Sequence, residues 1–118
     1  MSTSFEDLEV WKKACRLSVD IYNNLQPTHN YALKDQICRA AVSIASNIAE
    51  GRDRGSKNEF IRFLRIAQGS AAELRTQLYI AKEIELLPKD IVNDFIERVK
   101  SISQMLQALI KSLNTTSG

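Results

Sequence analysis

Arg39-Ala40-Ala41-Val42-Ser43-Ile44-Ala45-Ser46-Asn47-Ile48-Ala49-Glu50-Gly51 is the stretch on which the fold turns. Read backwards to Leu33, its apolar residues fall at Leu33, Ile37, Ala41, Ile44 and Ile48, in steps of three and four that place them on one face of a helix. A second row, Arg39, Ser43, Asn47 and Glu50, repeats at the same spacing and draws a polar stripe along the edge of that face. The small residues Ala40, Ala45 and Ala49 allow another helix to approach closely. The spacing predicts a helix over 31–50, with Asn30 as its N-cap and Gly51 as a left-handed residue ending it.

The same periodicity extends in both directions. Upstream, Leu8, Trp11, Cys15, Tyr22 and Leu25 form one row and Val10, Ala14, Leu17 and Ile21 an adjoining one, so a helix is expected over 7–26, with Ser4 and Asp7 as a capping pair and Pro27 as the stop. Downstream, Ser56 and Glu59 make a Ser-x-x-Glu capping box ahead of Phe60, Phe63, Leu64, Ala67, Ala71, Leu74, Leu78 and Ala81, giving a helix over 56–85. In this helix Gly69 is expected to serve a close helix–helix contact, since a mid-helix glycine costs about 1 kcal/mol against alanine. The last row, Ile91, Phe95, Val99, Ile102, Leu106, Leu109 and Leu113, gives a helix over 88–113 opened by Pro88. Four helices joined by connections of a few residues must run antiparallel to their neighbours. The expected fold is all-α, an up-down-up-down four-helix bundle forming one domain over 1–118.

Composition agrees. Of 118 residues, 44% are apolar and 25% charged, with four Gly and two Pro, too few turn formers for a sandwich or barrel. Glu6, Asp7, Glu9, Lys12 and Lys13 interrupt the apolar pattern near the start, so no secretory leader is expected. Ala40–Ala49, a charge-free run with a high share of apolar residues, is far short of the ~20 apolar residues of a membrane span. Cys15 and Cys38 lack CxxC spacing and read as reduced, partly buried thiols. A cytoplasmic protein without membrane contact is expected.

Chemistry finds little support. A di-iron bundle needs two Glu-x-x-His motifs, and the chain has a single histidine, His29, in a connection. Neither cysteine has a second imidazole to serve as base and orienter. Gly51-Arg52-Asp53-Arg54-Gly55-Ser56-Lys57 lacks the Gly-Lys-Ser/Thr ending of a phosphate loop, and no strand precedes it. No catalytic residue, metal ligand or cofactor site is assigned, and the chain reads as a non-enzyme.

Two polar features remain. The stripe of Ser43, Asn47 and Glu50, with Glu73 and Gln77 on the third helix, suits a solvated face, hydrogen bonding between helices or subunits, or ligand binding. Charge is also unevenly placed: residues 34–65 carry seven basic and four acidic residues, net +3, while the rest of the chain sums to −1. Arg39, Arg52, Arg54, Lys57, Arg62 and Arg65 are therefore the candidate nucleic-acid contacts, arginine being suited to phosphate. No aromatic residue in the turn offers base stacking, so backbone contact rather than sequence reading is expected.

The run 39–51 resembles the signature of the bacterial S23-like four-helix-bundle proteins encoded in intervening sequences of 23S ribosomal RNA genes. Phe5-Glu6-Asp7-Leu8-Glu9-Val10-Trp11-Lys12 is similar to that family's opening, and Phe63-Leu64-Arg65-Ile66-Ala67-Gln68-Gly69-Ser70-Ala71-Ala72-Glu73-Leu74 and Tyr79-Ile80-Ala81 to its third helix. The resemblance implies a ring-like homopentamer without enzymatic activity, related to the accessory protein of diversity-generating retroelements, where such a pentamer binds nucleic acid and a reverse transcriptase. Two positions depart from the family pattern: Cys38 stands where an arginine is common, and Thr28-His29-Asn30 where an acidic residue is usual. The first removes a positive charge beside Arg39. The expected activity is RNA binding by an oligomeric bundle, with a protein-binding scaffold as the alternative.

Overall fold

The computed structural model describes residues 4–115. A 3-10 turn, Phe5–Asp7, precedes α1 (Glu9–Leu25), α2 (Tyr31–Asp53), α3 (Lys57–Glu83) and α4 (Lys89–Asn114), and no strand occurs among the described residues. Each helix packs on its sequence neighbours and α1 closes the ring on α4, while the backbones of the diagonal pairs α1/α3 and α2/α4 stay apart. The result is the expected antiparallel up-down-up-down bundle, 49 × 19 × 19 Å.

The interior is a single apolar cluster in which Leu17, Ile21, Leu25, Ile37, Ile44, Ile48, Leu64, Leu74, Leu78, Ile102, Leu106 and Ile110 are the largest fully enclosed side chains. The third-helix row is buried throughout as its periodicity predicts. In α1 the core is the second of the two rows, Val10, Ala14, Leu17 and Ile21 with Leu25, whereas Trp11 and Cys15 lie at the rim and Tyr22 is exposed. In α4, Val92, Ile96 and Ile110 are buried, and Ile91, Leu109 and Leu113 sit half-covered beside them.

Helix ends differ from expectation where tertiary contacts outweigh local patterns. Ser4 caps the 3-10 turn, its Oγ accepting from the Glu6 N–H at 3.2 Å, and α1 begins two residues later than predicted, after extended Leu8, whose side chain packs on the core. Pro88 is the N-cap of α4 rather than its first helical residue. Helix α3 stops at Glu83 in a Schellman arrangement: the Leu86 N–H donates to the Ala81 carbonyl, the Glu85 N–H to that of Lys82, and Glu85 itself takes a left-handed φ of 56°.

The largest correction concerns Gly51. It does not end α2, which runs on to Asp53; it is buried within the helix, and a Cβ there would lie 2.5 Å from Phe63 Cβ. Glycine lets the α2 backbone rest on the Phe63 side chain. The left-handed residue is Gly55, at φ 87°, after which Ser56 caps α3 by accepting from the Glu59 N–H at 3.1 Å. Asn30 caps α2 as predicted, through the Leu33 N–H.

Candidate nucleic-acid interface

The α2–α3 connection is only Arg54-Gly55-Ser56, so the last turn of α2 and the first of α3 stand side by side at one end of the bundle. Arg65 lies exposed further along α3, and four of the six predicted basic contacts meet at this end: Arg52, Arg54, Lys57 and Arg62. Arg39 does not. It lies thirteen residues before Arg52 on the same helix, about 20 Å away at 1.5 Å per residue, next to Asp35, Cys38, Val42 and Ser43 in a shallow furrow.

The end cluster is a network and not a row of separate charges. Arg54 pairs with Glu50 at 3.0 Å and reaches Glu59 at 4.0 Å, and Arg62 donates to Glu59 at 3.1 Å. The guanidinium groups of Arg54 and Arg62 lie 4.9 and 4.6 Å from the Phe63 ring centroid, and that of Arg52 lies 5.8 Å from Phe60. Both rings are buried, so the aromatic surface at this end is covered by arginine and not open to a base. The hydrogen bond from Arg62, reinforced by its charge and that of Arg54, holds the Glu59 carboxyl below the usual carboxylate range and raises Arg62 above its ordinary value. Arg52, Lys57 and Phe60, with Gly55, Ser56 and Leu113, line a hollow of ≈ 280 Å³ at this end. Residues 50–65 hold five basic and three acidic groups, so the charge gathered here is net +2.

The polar stripe divides into three parts. Ser43 shares a 2.8 Å hydrogen bond with Ser70 of α3, and Asn47 Nδ2 donates to the Ser43 carbonyl and Oγ at 2.8 and 3.0 Å, a polar seam between α2 and α3. Glu50 belongs to the arginine network instead. Glu73 and Gln77 lie further along α3, Gln77 donating to Glu73 across a long 3.5 Å while its Oε1 is buried without a partner among the described residues. Ser70 was not legible as part of this seam, because it depends on the register of two helices and no local spacing reports that.

Gly69 has no packing role inside the chain. It is exposed, and a Cβ there would meet nothing within 4 Å. Elsewhere along α3 and at its C-cap, Ile66, Ile80 and Ile84 are also exposed. On α2, Val42 is 53% exposed and borders an apolar groove that includes Phe5, Trp11, Cys15 and Val19.

The cysteines and histidine carry no reactive geometry. Burial pushes both thiols up, for Cys38 against the nearby charge of Lys34, and an elevated thiol is a poor nucleophile. His29 is exposed beside Tyr31. No group of three metal-ligating side chains and no helix long and apolar enough to cross a membrane occur among the described residues.

No curated protein matches the chain. Among solved structures it is similar to a protein of unknown function from the S23 ribosomal protein family of Bacteroides thetaiotaomicron, with 26% identity and a TM-score of 0.81 over 86% of this chain and 98% of that one. The model of the 23S rRNA-intervening sequence proteins matches residues 6–108, which take in all but the last turns of α4. A four-helix bundle with this signature on α2 thus belongs to the 23S rRNA-intervening sequence protein family.

Proposed function

We propose that the protein is a non-enzymatic, self-associating helical bundle that binds structured RNA through phosphate contacts at the α2–α3 end. The observation that carries this reading is the gathering of Arg52, Arg54, Lys57 and Arg62 around one three-residue turn, with Arg65 further along α3, in a family encoded within ribosomal RNA genes. The rings beneath the arginines favour backbone contact, since their faces are already covered. One copy is a weak binder: net +2 at this end falls well short of the charge a multi-phosphate contact needs. Repetition supplies the rest. A homopentamer presents about ten such charges on the one face, and effective concentration turns five weak contacts into one strong one.

Self-association is supported by what the single chain leaves unused: an exposed mid-helix glycine, exposed Val42, Ile66, Ile80 and Ile84, and the buried, unsatisfied Gln77 Oε1. The same apolar surfaces favour the second reading, a scaffold for protein partners. Filter binding of a structured RNA at low and moderate salt, with wild type and an Arg52→Gln/Arg54→Gln/Lys57→Gln variant, separates the two. Wild type should bind with a steep salt dependence that the variant loses. Equal binding by both proteins refutes the patch, and no binding by wild type at low salt favours the scaffold. Light scattering tests assembly: a mass near 13.3 kDa at micromolar concentration rules it out.

A further inference from the structure

The α1/α4 side of the bundle carries a second basic feature that the end cluster does not include. Residues 10–19 of α1 contain Lys12, Lys13 and Arg16 and no acid, and residues 98–114 of α4 contain Arg98, Lys100 and Lys111 and no acid. Of the neighbouring helix pairs, α1 and α4 are in the loosest contact. They leave between them a cleft of ≈ 210 Å³ lined by Lys12, Lys13, Arg16, Arg98, Ser101 and Ile102. Four cations from two helices thus converge on one concavity, whose lining also includes the buried Ile102.

The pairing of these cations distinguishes a fixed wall from available ligands. Arg98 is held by Asp20 of α1 at 2.9 Å and by Asp94 at 3.6 Å, and it lies 5.9 Å from the Phe95 ring, so its position is set by the fold. Arg16 and Lys12 are themselves mostly exposed and have only long contacts at 3.7 Å, Arg16 to the half-buried Asp20 that also holds Arg98 and Lys12 to exposed Glu9, of a kind that contributes little. Among the described residues Lys13 makes no ion pair and the Ser101 hydroxyl makes no hydrogen bond. The volume is below the roughly 300 Å³ at which sites for whole drug-sized ligands begin. It suits a single charged group.

We propose that the α1/α4 cleft is a phosphate-binding site, in which Lys12, Lys13 and Arg16 take the anionic oxygens and the Ser101 hydroxyl donates to one of them, with Arg98 as the fixed positive wall. This site does not depend on the RNA reading: the phosphate belongs either to a nucleic-acid backbone or to a soluble phosphate compound. The test is an amide NMR titration of the full chain with inorganic pyrophosphate, comparing wild type with Lys13→Gln/Arg16→Gln and with a charge-matched Lys82→Gln/Lys89→Gln control. Both variants change exposed or half-exposed positions and keep the core intact. Saturable shifts of the Lys13 and Ser101 amides are expected in wild type and the control, with at least tenfold weaker affinity in Lys13→Gln/Arg16→Gln. Absence of such shifts, or equal affinity in all three proteins, overturns the site. A parallel RNA titration identifies the source: a backbone phosphate lowers the salt slope of Lys13→Gln/Arg16→Gln by about two relative to wild type, whereas a soluble compound leaves that slope unchanged.

Discussion

Alanine at Gly51 and alanine at Gly69 are the same chemical change in two helix interiors, and the structure assigns them opposite outcomes. In an open helix, glycine to alanine stabilises by about 0.5–1 kcal/mol, because glycine loses more backbone freedom on folding. Gly69 meets that condition, with nothing within 4 Å of a new Cβ. At Gly51 the added methyl would lie 2.5 Å from Phe63 Cβ, 3.3 Å from Phe63 Cγ and 3.4 Å from Phe60 Cδ1. A Cβ cannot rotate away, so α2 and α3, the most extensively packed helix pair, must separate at this point, an overpacking cost of about 1–3 kcal/mol. Gly51→Ala should therefore fall about 1–3 kcal/mol below Gly69→Ala in urea unfolding, with unchanged denaturant slopes. Equal stabilisation by the two variants would show that the α2–α3 approach at Gly51 is not close-packed and refute the reasoning. Gly69→Ala reports on assembly as well: if a second copy packs on this face, the variant gains stability only at concentrations where wild type is monomeric, and loses mass in light scattering.

Three further outcomes follow from named contacts. Ser70→Ala removes the 2.8 Å link to Ser43 but leaves Ser43 bonded to Asn47, so a loss of about 1 kcal/mol is expected in the same unfolding assay; a loss above about 3 kcal/mol would mean the seam is organised differently. Glu85→Gly relieves a left-handed, non-glycine residue and should stabilise by about 1 kcal/mol, checked by thermal unfolding. Because the folded Glu59 carboxyl is held low by Arg62, its contribution is present above the unfolded carboxylate pKa of about 4.3 and is lost as pH falls through the lower folded value. The stability difference between wild type and Glu59→Gln should thus be constant at neutral pH and close only in acid, as a series of unfolding curves from pH 7 to pH 2 would reveal.

The four helices were legible because 3.6-residue periodicity is a local property, written most clearly in the α3 row from Phe60 to Ala81 and the α2 row from Ile37 to Ile48. Antiparallel order followed from connections too short for anything else. Capping at Asn30 and Ser56 was equally local, a side chain reaching an amide three residues away. What the tertiary structure alone decided depends on which helices face each other. Of α1's two adjoining rows, the one that became core was chosen by the position of α2 and α4. Gly51 and Gly69 both departed from expectation, Gly51 being required by Phe63 and Gly69 unused within the chain, because a neighbour's side chain, not the glycine's own surroundings in sequence, sets the space above it. Arg39 left the basic cluster because a helix carries residues apart at 1.5 Å per step, while charge counted along the chain ignores that distance. The α1/α4 cleft stayed hidden for the converse reason. Lys12, Lys13 and Arg16 are distant in sequence from Arg98, and the acids Glu83, Glu85, Asp90, Asp94 and Glu97 cancelled them in any sum along the chain, although most of those acids lie toward the other end of the bundle. Local periodicity therefore determined the elements and their order, and packing, which brings together residues far apart in the chain, determined where the charge and the unused surface lie.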